Sequence, residues 1–130
     1  MDMLIKVNSG WIDTILPSLL VASKLKKEGV DVVVFFDWRA LVAFAEKEFE
    51  FSPSVAKYAS KILENAKKLG LPCDLIDLLK AVKADGVTVY GCAVEAALTG
   101  ITEKIPPEIE LLPYEDLLKP YEAKKIVGGF

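Results

Sequence analysis

The sequence contains no histidine and no glutamine, one arginine (Arg39) and two cysteines, Cys73 and Cys92. Without histidine there is no Ser-His or Cys-His nucleophile pair, no imidazole general base and no imidazole ligand for haem. Two cysteines at this spacing form neither a disulfide framework nor a zinc site. No metal or cofactor is expected. Long apolar runs are also missing. The nearest, residues 12–22, is broken by polar residues and Pro17, so no membrane span is expected. A net charge of -3 leaves no basic footprint for nucleic acid. No Walker-type loop and no G-x-G-x-x-G follows the first strand pattern.

What is present suits a single domain over residues 1–130, with 52% hydrophobic content for one core. One lysine precedes the first apolar stretch and no small-residue cleavage site follows, so no signal peptide is expected and the cytoplasm is the expected compartment. The Lys and Glu enrichment, with glutamine absent, is a thermophile bias.

Residues 3–7 read as a short strand ended by the Asn8-Ser9-Gly10 turn. Apolar residues at Ile12, Ile15, Leu16, Leu19, Ala22 and Leu25 form a helical stripe over residues 11–28, with Pro17 inside it and Gly29 as its stop. Residues 30–36 are a continuous β-branched and aromatic run, the mark of a strand covered on both faces. Helices are expected over 39–50, 55–69 and 74–84, with Ser52-Pro53-Ser54 as a break and Gly70 and Asp85-Gly86 as stops. Strands follow at 87–90, 109–112 and 125–127, a short helix at 92–98 and a helical turn at 114–118. This alternation implies a three-layer α/β/α domain on a mainly parallel five-stranded sheet, a relative of the flavodoxin-like folds. In such sheets the βα turns gather on one edge, where ligands bind. Asn8 to Trp11, Asp37-Trp38-Arg39, the neighbourhood of Cys73, Gly91-Cys92 and Pro113-Tyr114 all reach it.

Cys92 ends a β-type run and opens a helix-type run. At that junction unpaired N–H groups, plausibly those of Val94 and Glu95, favour the thiolate. A helix terminus contributes roughly 0.3–1 kcal/mol, against about 1.4 kcal/mol per pKa unit. Modest activation is therefore expected, with Glu95 opposing it if its carboxylate faces the sulfur. An apparent pKa above about 9, from alkylation rate against pH, would overturn that expectation. The reading also requires the sulfur to be open to a visiting reagent at the sheet's rim.

The segment from Gly86 to Cys92, followed by a short helix and Thr99-Gly100-Ile101, resembles the strand-cysteine-helix segment of the DsrE/DsrF-like sulfur-relay family. The run from Val30 to Trp38 is similar to the branch of that family often labelled peroxiredoxin-like. The resemblance implies an intracellular, sulfurtransferase-like carrier that holds sulfane sulfur or thiosulfate on Cys92. It also implies a homo-oligomer, commonly a trimer or hexamer, and thiol-bearing partners of the TusA type.

Around Cys92 the candidate binding residues are Gly91, Ala93, Val94, Trp38, Arg39, Ser9 and Trp11. Arg39 is a candidate grip for an anionic sulfur species or a solvated helix residue. Trp11, Trp38 and Tyr114 are candidates to roof the sulfur or to pack in a core or interface. Asp37 reads as a helix cap. Cys73 is a candidate resolving thiol or a residue packed under a turn. Lys57, Lys61, Lys67 and Lys68 read as solvating helix faces. A nucleotide- or flavin-binding module and an oligomeric scaffold without chemistry are the alternative functions.

Overall fold

The computed structural model describes residues 1–128. Five strands, β1 (Met3–Val7), β2 (Val32–Phe36), β3 (Thr88–Cys92), β4 (Glu110–Leu112) and β5 (Lys125–Gly128), form one all-parallel sheet in the order β4-β3-β2-β1-β5. The six helices are α1 (Ile12–Lys27), α2 (Trp38–Glu46), α3 (Pro53–Ala56), α4 (Ala59–Leu69), α5 (Leu75–Ala84) and α6 (Ala93–Thr99). The α/β class and the five strands agree with the sequence pattern, and no antiparallel strand joins the sheet.

Strand parity sorts the core into two sides. Ile5, Val7, Val32, Val34, Phe36, Val87 and Val89 point to one face. There they pack with Ile15 and Leu19 of α1, Leu41 and Phe44 of α2, Leu75, Leu79 and Val82 of α5, and Ala96 of α6. Leu4, Val33, Phe35, Cys92 and Leu112 point to the other face, with Tyr90, Leu117 and Ala123. The chain steps β1 to β2 to β3 to β4 in one direction, so crossovers of one hand place these helices on one face. Only the last connection runs back across the sheet to reach β5 beside β1. It does so over the opposite face as two short 3₁₀ turns, Tyr114–Asp116 and Lys119–Glu122. The third layer is therefore this thin return segment, residues 113–123.

Several boundaries move. Pro17 does not break α1, and Ser18 Oγ donates to the Thr14 carbonyl at 2.7 Å within the same turn. The helix expected over 39–50 stops at Glu46, because Lys47 turns left-handed with φ 58°. The helix expected over 55–69 is split at Lys57 and Tyr58 into α3 and α4. Cys92 closes β3 and serves as the N-cap of α6 rather than as its first residue.

Gly91 serves packing. It is buried on the helical face of β3, where an added Cβ would lie 2.7 Å from Leu41 Cδ2 and 3.1 Å from Ile109 Cγ2. Gly91→Ala is expected to destabilise the protein by about 1–3 kcal/mol through overpacking. Thermal or denaturant unfolding measures this, and an unchanged midpoint would refute it.

Candidate functional site

The parallel register sets the geometry around Cys92. Val7 pairs with Phe36 and Phe36 with Gly91, so the next step along each strand brings Asn8, Asp37 and Cys92 to one level at the carboxyl edge. Parity places Asp37 and Cys92 on the same face, opposite the helices, with Lys6 one step below. Lys6 Nζ reaches diagonally to Asp37 Oδ2 at 2.8 Å, and also bonds the Tyr121 hydroxyl from the return segment. The ammonium lies 5.1 Å from the Phe35 ring centroid and 4.8 Å from that of Tyr121, a cation–π arrangement. Asp37 is the only buried charged residue among the described residues, 6% exposed, and its ion pair with Lys6 is what permits that burial.

Glu95, in the first turn of α6, completes the cluster. Its Oε1 accepts from the Trp38 N–H at 2.6 Å, and the Asp37 carboxylate and the Cys92 thiol are the neighbouring groups that act on its charge. Burial pushes the Glu95 carboxyl above the ordinary glutamate range. The Trp38 N–H and the Cys92 thiol pull it back in part, and the adjacent Asp37 carboxylate pushes it further up. For Lys6, burial alone would depress the ammonium. Its bonds to Asp37 and Tyr121 outweigh that and hold its pKa above the ordinary value. Cys92, Glu95, Asp37, Lys6 and Tyr121 thus form one cluster of polar groups, drawn from β3, α6, the β2 exit, β1 and the return segment, in which Lys6 bonds directly to Asp37 and Tyr121.

The expected modest activation of Cys92 is corrected in sign. Burial raises the thiol pKa. The N–H groups of Glu95 and Val94 oppose it, and the Glu95 carboxylate adds to it by repulsion and by accepting the thiol proton. The two N–H groups do favour the thiolate as the sequence suggested, but Cys92 makes no side-chain cap bond, and desolvation and the carboxylate outweigh them. Openness is corrected too. Cys92 lies at the rim but is only 4% exposed, in one cluster with Leu112, its register partner on β4, and with Leu117 and Ala123 of the return segment. The return segment that covers it is invisible to local periodicity.

Beside the cluster opens a cleft of about 710 Å³ lined by Lys6, Asn8, Ser9, Asp37, Trp38, Arg39 and Glu95. Ser9 Oγ is buried at its wall with no hydrogen-bond partner. Ser9, Trp38 and Arg39 therefore share one cleft, with Glu95 standing between it and the sulfur. Ala93 and Val94 flank Cys92 in the first turn of α6, and the Val94 side chain is exposed. Trp11 is elsewhere, in a second cleft with Arg39, Glu46, Glu48 and Glu50, where it bridges to Glu50. Tyr114 projects outward from the return segment. Cys73 is exposed, in a groove with Ile12 and Leu16 of α1 and Ile62 and Ala66 of α4, on the helical side of the sheet. The two thiols are free, with the sheet between them. Asp37 has helix-cap backbone geometry but its side chain makes no cap bond, because it is turned to Lys6.

Sequence reading missed Lys6, Asp37 and Glu95 as one cluster. The available signal was an acid directly after a fully apolar strand, together with a lysine whose parity places it on the same sheet face. Among the described residues no set of side chains fits a metal ion, and no helix is long and apolar enough to cross a membrane. No family model matches the chain, and no curated protein matches it.

Proposed function

We propose that the chain is a thiol-dependent sulfur carrier in which Cys92 is the nucleophile and Glu95 its proton acceptor. The carrying observation is that Glu95, in the first turn of the helix that Cys92 caps, is the ionisable neighbour acting on the Cys92 thiol, in a chain with no histidine to serve as base. A thiol of raised pKa stays protonated and unreactive until a positioned base takes its proton, and a carboxylate of raised proton affinity suits that task.

In the proposed step the Cys92 sulfur attacks the outer sulfur of a donor persulfide, R–S–SH, and its proton passes to Glu95. The new S–S bond forms on Cys92 as the donor's S–S bond breaks. The departing thiolate takes the Glu95 proton and leaves as R–SH, and Cys92 holds a persulfide. Delivery is the same exchange at an acceptor thiol, which regenerates Cys92. Asp37 keeps the proton affinity of Glu95 high by like-charge proximity, and its ion pair with Lys6 fixes its position. Because Cys92 is covered at rest, the openness this reading requires comes from displacement of the return segment over the sulfur, with entry past Glu95 from the cleft. The donor and acceptor are small thiol-bearing carriers of the TusA kind, for which the exposed Trp38, Val94 and Leu98 offer an apolar footing beside Glu95. The proposed setting is intracellular, where free thiols persist.

Intact mass spectrometry after incubation with polysulfide tests the reading. A gain of one sulfur atom, mapped to Cys92 and reversed by reductant, is the expected result. An adduct only on the exposed Cys73, or none, overturns it.

A further inference from the structure

Residues 53–74 stand apart from the rest of the molecule: none of the 22 is buried. They hold α3, α4 and the turn to Cys73. Yet α4 is strongly amphipathic, with Ala59, Ile62, Leu63, Ala66 and Leu69 along one side. Leu69 is 74% exposed, and Tyr58, Leu63 and Leu71 are exposed with it. An isolated helix of fewer than about 12–15 residues is marginal in water, so an 11-residue helix with so little covered apolar surface is short of a partner. The segment is also basic. It carries Lys57, Lys61, Lys67 and Lys68 against Glu64 and the α5-capping Asp74, a net +2 in a chain whose total is -3. Glu64 is engaged with Lys68 at 3.3 Å, leaving Lys57, Lys61 and Lys67 without an ion-pair partner among the described residues.

A second surface has the opposite character. The return segment, residues 113–123, packs Leu117, Pro120 and Ala123 inward, lays Tyr121 over Lys6 and Phe35, and turns Tyr114 (75% exposed) and Leu118 (77% exposed) outward. Its charged residues are Glu115, Asp116 and Glu122 against Lys119. Glu110 of β4 lies on the same sheet face. Asp116 pairs with Lys119 at 3.1 Å, which leaves Glu115 and Glu122 without an ion-pair partner among the described residues.

We propose that these two surfaces are partners: the basic amphipathic α3–α4 segment of one copy docks on the acidic, tyrosine- and leucine-bearing return segment of a second copy. Charge complementarity selects this occupant, since each patch offers apolar residues ringed by the charge that the other lacks. Within one chain they cannot meet, because α4 lies on the helical side of the sheet and the return segment on the other. The contact joins two different patches, so it is heterologous and builds a closed ring or an open filament rather than a two-fold dimer. It does not depend on sulfur chemistry at Cys92, and its readout is mass.

Sedimentation of the full chain with charge-reversed variants is the test. Wild-type protein is expected to assemble at low ionic strength, with affinity falling as salt shortens the reach of exposed charges. Lys61→Glu with Lys67→Glu, or Glu115→Lys with Glu122→Lys, is each expected to weaken assembly about tenfold or more. Mixing the two reversed proteins restores it, because each then offers the other a complementary pair of patches. All four substitutions are at exposed positions, and circular dichroism checks that the fold is kept. A wild-type chain that remains monomeric in low salt, assembly untouched by both reversals, or a mixture that stays apart overturns the proposal.

Discussion

Glu95→Gln is expected to slow sulfur loading of Cys92 by about 100-fold, the lower end of what a positioned base contributes, while making the same thiol easier to alkylate at neutral pH. The two effects move in opposite directions because they read different properties. Alkylation by a small reagent reports the thiolate fraction. The Glu95 carboxylate suppresses that fraction, both by its charge and by holding the thiol proton. Glutamine removes the charge, so the alkylation pKa of Cys92 is expected to fall. Transfer from a persulfide also needs a group that takes the thiol proton and returns it to the leaving thiolate, which an amide cannot do. Loading rates and alkylation rates measured against pH separate the two. A variant that loses or gains in both together would show that Glu95 acts only on the thiol's charge state.

The same substitution carries a stability signature with a defined sign. Glu95 binds its proton more tightly in the folded chain than in the unfolded one. The folded state therefore holds more protons than the unfolded state between the ordinary glutamate pKa of 4.5 and the raised value. The contribution of Glu95 to stability is full below that window and is lost as pH rises through it. Glutamine still accepts the Trp38 N–H and no longer repels Asp37. The melting temperature of the variant relative to wild type is expected to rise from about pH 4 to about pH 7. A constant difference across that range would remove the Asp37–Glu95 repulsion from the account.

Cys92→Ser is expected to abolish sulfur loading outright and to cost about 1 kcal/mol or less in stability. Serine fits the volume of the thiol, and its hydroxyl has polar groups nearby to turn toward: the first-turn N–H groups of α6 and the Glu95 carboxylate. The buried site is therefore polar enough to take a hydroxyl, unlike a purely aliphatic core position. Mass spectrometry of the polysulfide-treated variant, alongside its unfolding curve, checks both halves. Sulfur retained by the serine variant would assign the activity to another group. A loss of several kcal/mol would make Cys92 chiefly a core residue.

Much of the scaffold was legible in the residues. The unbroken run that ends at Phe36 announced a central strand, and all five of its strand residues are buried. Gly70 and Gly100 closed their helices in the left-handed conformation expected of them. Lys47 was not legible as a stop, because nothing in its side chain favours a left-handed backbone. The split at Lys57 and Tyr58 was equally hidden, since both flanking segments carry helix formers. Of the candidate binding residues, Ser9, Trp38 and Arg39 do share a cleft beside the cluster. Trp11 and Cys73 fall elsewhere, and Gly91 is a packing residue.

By itself the sequence determined the exclusions, the α/β class and the seat of Cys92 where a strand meets a helix. Composition and short-range periodicity are enough for these. Only the tertiary structure decided what surrounds the sulfur and which way its proton equilibrium moves. Lys6 and Tyr121 are 115 positions apart, yet they meet because β1 lies beside β2 and the return segment crosses that face. Parity tells which side of a sheet a residue faces, whereas strand order and the final crossover tell what is waiting there. Desolvation, the largest influence on Cys92, comes from that non-local packing.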